Sequence, residues 1–194
     1  MDGYGGTAGN EILTSAVGVA LAVLLVAEGI TIIAIGSMRD EHMFIGMALI
    51  PPVLLKLGST GYRFTRYYTG AREYRLKGPP PIGLRLLGPP LVILTIVVFA
   101  SGVALLTMGH RSDTVFTVHK VSFIVWGVVF GVHFLAHLPR VVRSMASDWT
   151  RSARRRVSGA EARLLLLAAS LGGGVALALA VLPTITGWHG HHHG

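Results

Sequence analysis

The sequence contains no cysteine. That removes disulfide staples, thiolate-held clusters and a cysteine nucleophile, and leaves the redox compartment open. Charge is scarce too. Only 13% of the 194 residues are Asp, Glu, Lys or Arg, against about 25% in an ordinary soluble domain. Too few charged side chains remain to coat a water-facing surface, so a soluble globular enzyme is excluded and lipid is the expected solvent for most of the chain. Acidic residues are the scarcest charged class: nine Asp and Glu stand against 17 Lys and Arg, a net charge of +8 with the histidines neutral. In such a composition the excess reports topology and anionic lipid, and no soluble basic module is visible that could bind nucleic acid. Neither a G-x-x-x-x-G-K-[ST] run nor a G-x-G-x-x-G after a strand occurs. A nucleotide-phosphate cradle is therefore missing, and the chain cannot take hydride from NADH unaided.

What the sequence does have is long apolar runs. A spanning helix needs roughly 20 mostly apolar residues to cross about 30 Å of hydrocarbon. Five segments qualify: 12–36, 42–61, 90–109, 119–138 and 161–182. They divide the chain into an arm (1–11), a transmembrane domain (12–183) and a histidine-bearing tail (184–194). No period-2 alternation suggests a barrel, so the expected fold is an all-α polytopic membrane bundle. The first run is too long, and its flank too poor in basic residues, for a cleaved signal peptide. Ser158 and Glu161 have capping-box spacing before the fifth run, and Pro183 should end it. Pro51 and Pro52 fall mid-span in the second run and should kink it, while Gly88, Pro89 and Pro90 should close the loop before the third.

Lysine and arginine set the direction. The connection after the second span holds Arg63, Arg66, Arg72, Arg75, Lys77 and Arg85, and the one after the fourth holds Arg140, Arg143, Arg151, Arg154, Arg155 and Arg156. The opposite side has Arg39, Arg111 and Lys120. The positive-inside rule makes the basic connections cytoplasmic, with the N-terminus inside and the C-terminus outside. The aromatics interleaved over Tyr62–Tyr68 belong to an interfacial belt, and membrane lipid with anionic headgroups is the expected partner there.

Ionisable groups inside the spans carry the functional signal. His42 opens the second span and Lys56 follows 14 residues later; His119 opens the fourth and His133 follows at the same spacing. Fourteen residues is close to four helical turns, about 21 Å of rise, so each pair shares a face at two depths. The second and fourth spans are one crossing apart and run parallel. His42 and His119 therefore share the outer level, and Lys56 and His133 the inner one. Iron in a b-type haem takes an axial nitrogen on each face of the porphyrin, and neutral imidazole suits it. Gly46, one turn below His42, lets a flat macrocycle approach the helix.

In this pattern residues 38–140 resemble the membrane cytochromes b and the related ferric-reductase-like and cytochrome-b-domain families, which carry two histidines about 13–14 residues apart on each of two parallel helices. The resemblance implies a four-helix core from the first four spans, with the fifth packed outside it. It also implies one haem b at the outer level, with His42 and His119 ligating the iron and Arg39 and Lys120 meeting the propionates. Position 56 departs from the two-haem pattern: lysine is a poor neutral ligand, so a second haem is not expected. His133 stays open as a haem-binding candidate, with His137 one turn further as an alternative. Phe123, Trp126 and Phe130 lie between His119 and His133, either bordering a haem or filling the place of one. Glu28, near the outer end of the first span, is a candidate proton handler, a hydrogen-bond partner of a ligand imidazole, or a protonated acid against a neighbouring helix. Lys56 should snorkel toward the headgroups near Arg63.

The function this implies is electron transfer between membrane quinol, or a redox-protein partner, and an acceptor. The chain would be the haem-containing membrane subunit of an oxidoreductase, within a larger complex of the plasma membrane. Two alternatives stand beside it. One is a cofactor-free scaffold or assembly subunit whose histidines sit at the interface. The other is a metal carrier using the outer histidines and the tail His189, His191, His192 and His193.

Overall fold

The computed structural model describes residues 6–76, 78, 82–148 and 159–188. Among these are the helices α1 (Gly6–Ile33), α2 (Arg39–Tyr68), α3 (Arg72–Leu76), α4 (Ile82–Met108), α5 (Asp113–Asp148), α6 (Ala160–Ala180) and α7 (Leu182–Gly187), and no strand. Five of them, α1, α2, α4, α5 and α6, are long and apolar enough to cross a membrane. The chain is an all-α bundle of the polytopic membrane kind. Lys77, Arg151, Arg154, Arg155, Arg156 and the tail 189–194 lie outside the described residues, as do the side chains of His137, Arg140 and Arg143.

Most helices overrun their apolar stretches, because helical hydrogen bonding does not stop where hydrocarbon does. α2 continues through the aromatic and basic residues to Tyr68. α4 begins at Ile82, so Pro89 and Pro90 stand inside the helix and do not close the loop. The carbonyls these prolines leave without donors belong to Arg85 and Leu86, in the helix's first turns, where headgroup water can reach them. At the start of α6 the cap position is Gly159, with φ 78° and no side-chain cap bond, and Ser158, from which a capping box is expected, lies outside the described residues. Pro183 opens the short α7 after the chain breaks at Val181.

The packing centres on α2. On α1, Leu13, Val17 and Leu21 recur every fourth residue, and the same buried face ends in Glu28 and Thr31. That stripe packs on Leu49 of α2, which is 2% exposed, with Phe99 of α4 and Leu167 of α6 around it. α6 lies along the other side of α2. Pro51 and Pro52 sit inside α2, and a proline at position 52 removes the donor that the Ala48 carbonyl would otherwise have. Gly174 of α6 lies against that same carbonyl, so closely that a Cβ at position 174 would overlap it. In lipid, helices associate by close packing rather than by hydrophobic exclusion, and a glycine opposite a backbone carbonyl gives the closest approach available.

α4 and α5 form a second unit. They pack on each other, joined by the short turn at Gly109 (φ 68°), and α4 reaches the rest of the bundle through α2 and α7. At the end away from the basic connections, α7 folds across the bundle. Ile185 is fully buried among Met47, Ala48, Leu106 and Ala178. The Trp188 indole N–H donates to the Leu105 carbonyl at 3.0 Å, and Arg39 stacks on the Trp188 ring at 5.5 Å.

Candidate functional site

The turn after α1 brings Glu28 and Thr31, on the buried face of α1, beside the first turn of α2. His42 Nδ1 stands 2.8 Å from Glu28 Oε1. Thr31 Oγ1 donates to the Glu28 carbonyl at 2.7 Å and lies 3.4 Å from both Glu28 Oε2 and His42 Nδ1. The imidazole is thereby oriented through Nδ1, with Nε2 pointing away from its carboxylate partner by the geometry of the ring. Gly46 faces the same carboxylate: a Cβ there would lie 3.5 Å from Glu28 Oε1. Its smallness makes room beside Glu28, on the α1 side of α2.

His119 is held in the same way from a different helix. Its Nδ1 lies 3.0 Å from the Val98 carbonyl and 3.1 Å from Ser101 Oγ, both on α4. The Ser101 hydroxyl also lies within hydrogen-bond distance of the Val97 and Val98 carbonyls, to which it donates. Gly102 gives the ring its seat, since a Cβ at that position would come within 3.1 Å of His119 Cε1. Nothing ionisable in the third span marks it as part of a site; its only sequence signal is the small, polar Ser101-Gly102 step in an apolar run.

The two imidazoles meet. Their ring centres are 6.3 Å apart and their planes cross at 69°, although α2 and α5 do not pack along each other. Both Nδ1 atoms are engaged, and neither Nε2 has a hydrogen-bond partner among the described residues. Four spans contribute: α1 through Glu28 and Thr31, α2 through His42, α4 through Val98, Ser101 and Gly102, and α5 through His119. α6 contributes nothing to the pair.

The remaining candidates fall elsewhere. Lys120 is exposed, and Arg39 is engaged by Trp188. His133 lies four turns along α5 from His119, about 21 Å of rise, and so stands apart from the imidazole pair. Lys56 does not snorkel toward Arg63. Its Nζ donates to the Thr14 carbonyl of α1 at 2.7 Å, in a notch left by Gly18, whose Cβ would lie 3.1 Å from that nitrogen. Arg63 instead pairs with Glu11 at 3.4 Å. Around Lys56 a polar seam joins α1 to α2: Thr14 donates to Ser59 Oγ, and the Asn10 amide to the Ser59 carbonyl.

Below His119, Phe123, Trp126, Phe130 and Phe134 stack in a ladder, the closest pair being Trp126 and Phe130 at 4.7 Å and 8°. The Trp126 indole N–H donates to Thr95 Oγ1 at 2.9 Å, which pins the ladder to α4. No protein-family model, curated protein or solved structure matches the chain.

Proposed function

We propose that this protein is a membrane b-type haem protein in which His42 and His119 are the axial ligands of a single haem. The observation that carries the reading is the imidazole pair. Two rings sharing one metal, at about 2 Å per metal–nitrogen bond and about 1 Å from nitrogen to ring centre, stand about 6 Å apart, close to the 6.3 Å between these two. The donor set fits as well. Each Nδ1 has an acceptor that fixes the tautomer with Nε2 as the lone-pair nitrogen, which is how outer partners orient ligand histidines. When bound, the haem would supply a one-electron carrier within the bilayer.

The residues around it divide the remaining work. Glu28 and Thr31 orient His42, and the carboxylate raises the basicity of that ligand. Val98 and Ser101 orient His119 through neutral acceptors. Glu28 is also the carboxylate bonded to His42, so it is the group proposed to hold a proton when a quinol is oxidised there. Lys120 and Arg39 are the cations proposed for the propionates, and Arg39 would have to leave the Trp188 ring to serve. Electrons would pass between membrane quinol, or a redox-protein partner, and an acceptor. The chain would act as the membrane subunit of an oxidoreductase in the plasma membrane, with its basic connections cytoplasmic.

A reduced-minus-oxidised spectrum of protein produced with ample haem tests the reading. Sharp α and Soret bands that vanish in His42→Ala and in His119→Ala, and persist in His137→Ala, are expected. A colourless wild-type protein leaves the cofactor-free scaffold as the better account.

A further inference from the structure

The basic end of the bundle holds a site of its own. α2 is 30 residues long, about 45 Å at 1.5 Å per residue, whereas the hydrocarbon core is about 30 Å thick. With His42 near one boundary, the last turns of α2, from about Tyr62 onward, stand in the opposite headgroup layer. There the aromatic rings lock together. Phe64 and Tyr68 are 4.5 Å apart, Tyr67 and Tyr68 5.1 Å, and Tyr62 meets the buried Tyr74 of α3 edge-on at 6.2 Å.

Three of the cations on this platform, Arg66, Arg75 and Arg85, are positioned by neighbouring residues without an acidic partner among the described residues. Arg63 has Glu11 within 4 Å, but among the described residues Arg66, Arg72, Arg75 and Arg85 have no carboxylate at that range. Arg85, at the start of α4, donates from Nη2 to the Tyr68 hydroxyl at 2.5 Å. Arg75 folds back over the turn at Gly70 (φ 88°), its Cζ 3.9 Å from where a Cβ would stand. Arg85 thus sits at the Tyr68 hydroxyl and Arg75 at the Gly70 turn two residues on, and Arg66 lies over the Tyr62 ring one turn away at 6.0 Å. Beyond Arg85, the exposed side chains of Leu86 and Ile93 run down α4 toward the membrane centre.

From this arrangement we infer that Arg75, Arg85 and Tyr68 bind the phosphate of an anionic phospholipid, whose acyl chains lie along Leu86 and Ile93. Guanidinium forks suit phosphate oxygens, and fixing them beforehand lowers the ordering cost of binding. Tyrosines at this depth present their rings to the acyl boundary and their hydroxyls to the headgroups. The apolar track distinguishes a lipid from free phosphate. The inference is independent of haem binding.

The test uses the full-length protein in mild detergent, titrated with phosphatidylglycerol, phosphatidylcholine or inorganic phosphate, with thermal unfolding and native mass spectrometry as readouts. Phosphatidylglycerol should bind and raise the melting temperature, while phosphatidylcholine and inorganic phosphate should not. Affinity should fall by about tenfold or more in the Arg75→Gln/Arg85→Gln double variant, and stay unchanged in Arg111→Gln at the other end of the bundle. Equal stabilisation by phosphatidylcholine, full competition by inorganic phosphate, or wild-type lipid retention in the double variant each overturns it. The wild-type selectivity decides the matter even if the double variant fails to fold.

Discussion

The bundle has two units of unequal construction, and the histidine pair joins them. In α1, α2 and α6, helices interlock: 28% of the most apolar stretch of α2 is buried, Leu49 is enclosed, and Gly174 touches backbone. In the α4–α5 hairpin the figure for α5 is 6%, and its aromatic ladder is tied by one indole hydrogen bond. His42 belongs to the interlocked unit and His119 to the loosely attached one. The contrast teaches that protein packing alone gives little reason for the two imidazoles to meet. A ligand shared between them would supply the missing cohesion, and binding to the folded state alone stabilises by mass action.

The largest effect should come from the interlocked unit. Gly174→Ala drives a Cβ into the Ala48 carbonyl and should cost about 1–3 kcal/mol or more, read as a lowered melting temperature. Gly173→Ala, with open space around it, should change stability little; equal losses from both would mean that α6 does not lie where described. Next comes the junction. Glu28→Ala removes the carboxylate from His42 Nδ1 and should weaken haem retention about 10–100-fold, measured by haem titration of the apoprotein. Ser101→Ala should cost less than tenfold, because the Val98 carbonyl still accepts from His119, and a reversed order would refute the assignment of roles. Gly102→Val should expel the His119 ring from its seat and bleach the pigment, with the melting temperature of the haem-free protein close to wild type. The smallest effect belongs to the hairpin. Trp126→Phe loses its bond to Thr95 and should cost about 1 kcal/mol, with no change in the spectrum.

Much of this was legible in the sequence. The five spans follow from runs of apolar residues, which lipid demands and soluble folds rarely contain. The meeting of His42 with His119 follows from spacing and parallel direction, and Glu28 from its depth beside His42. Other features depend on which helix faces which, and periodicity carries no record of that. Lys56 looks solvent-seeking until Gly18 of a neighbouring helix is seen to open a notch beside the Thr14 carbonyl. Ser101 and Gly102 gain meaning only when α4 is known to support α5. Pro89 and Pro90 read as loop residues because proline lacks a helical donor and crowds the preceding turn, a cost that α4 meets in its first turns.

The contact between Ala48 and Gly174 has a consequence for biogenesis. The two residues are 126 positions apart, so at roughly 5–20 residues per second of synthesis the proline-freed carbonyl waits on the order of ten seconds for its partner. Until α6 is made, that acceptor on α2 lacks the helix that lies against it in the finished bundle. An insertase or a transient neighbour would find its clearest foothold there, and ribosome-stalled intermediates lacking the final span should crosslink to such a factor through that face of the second helix.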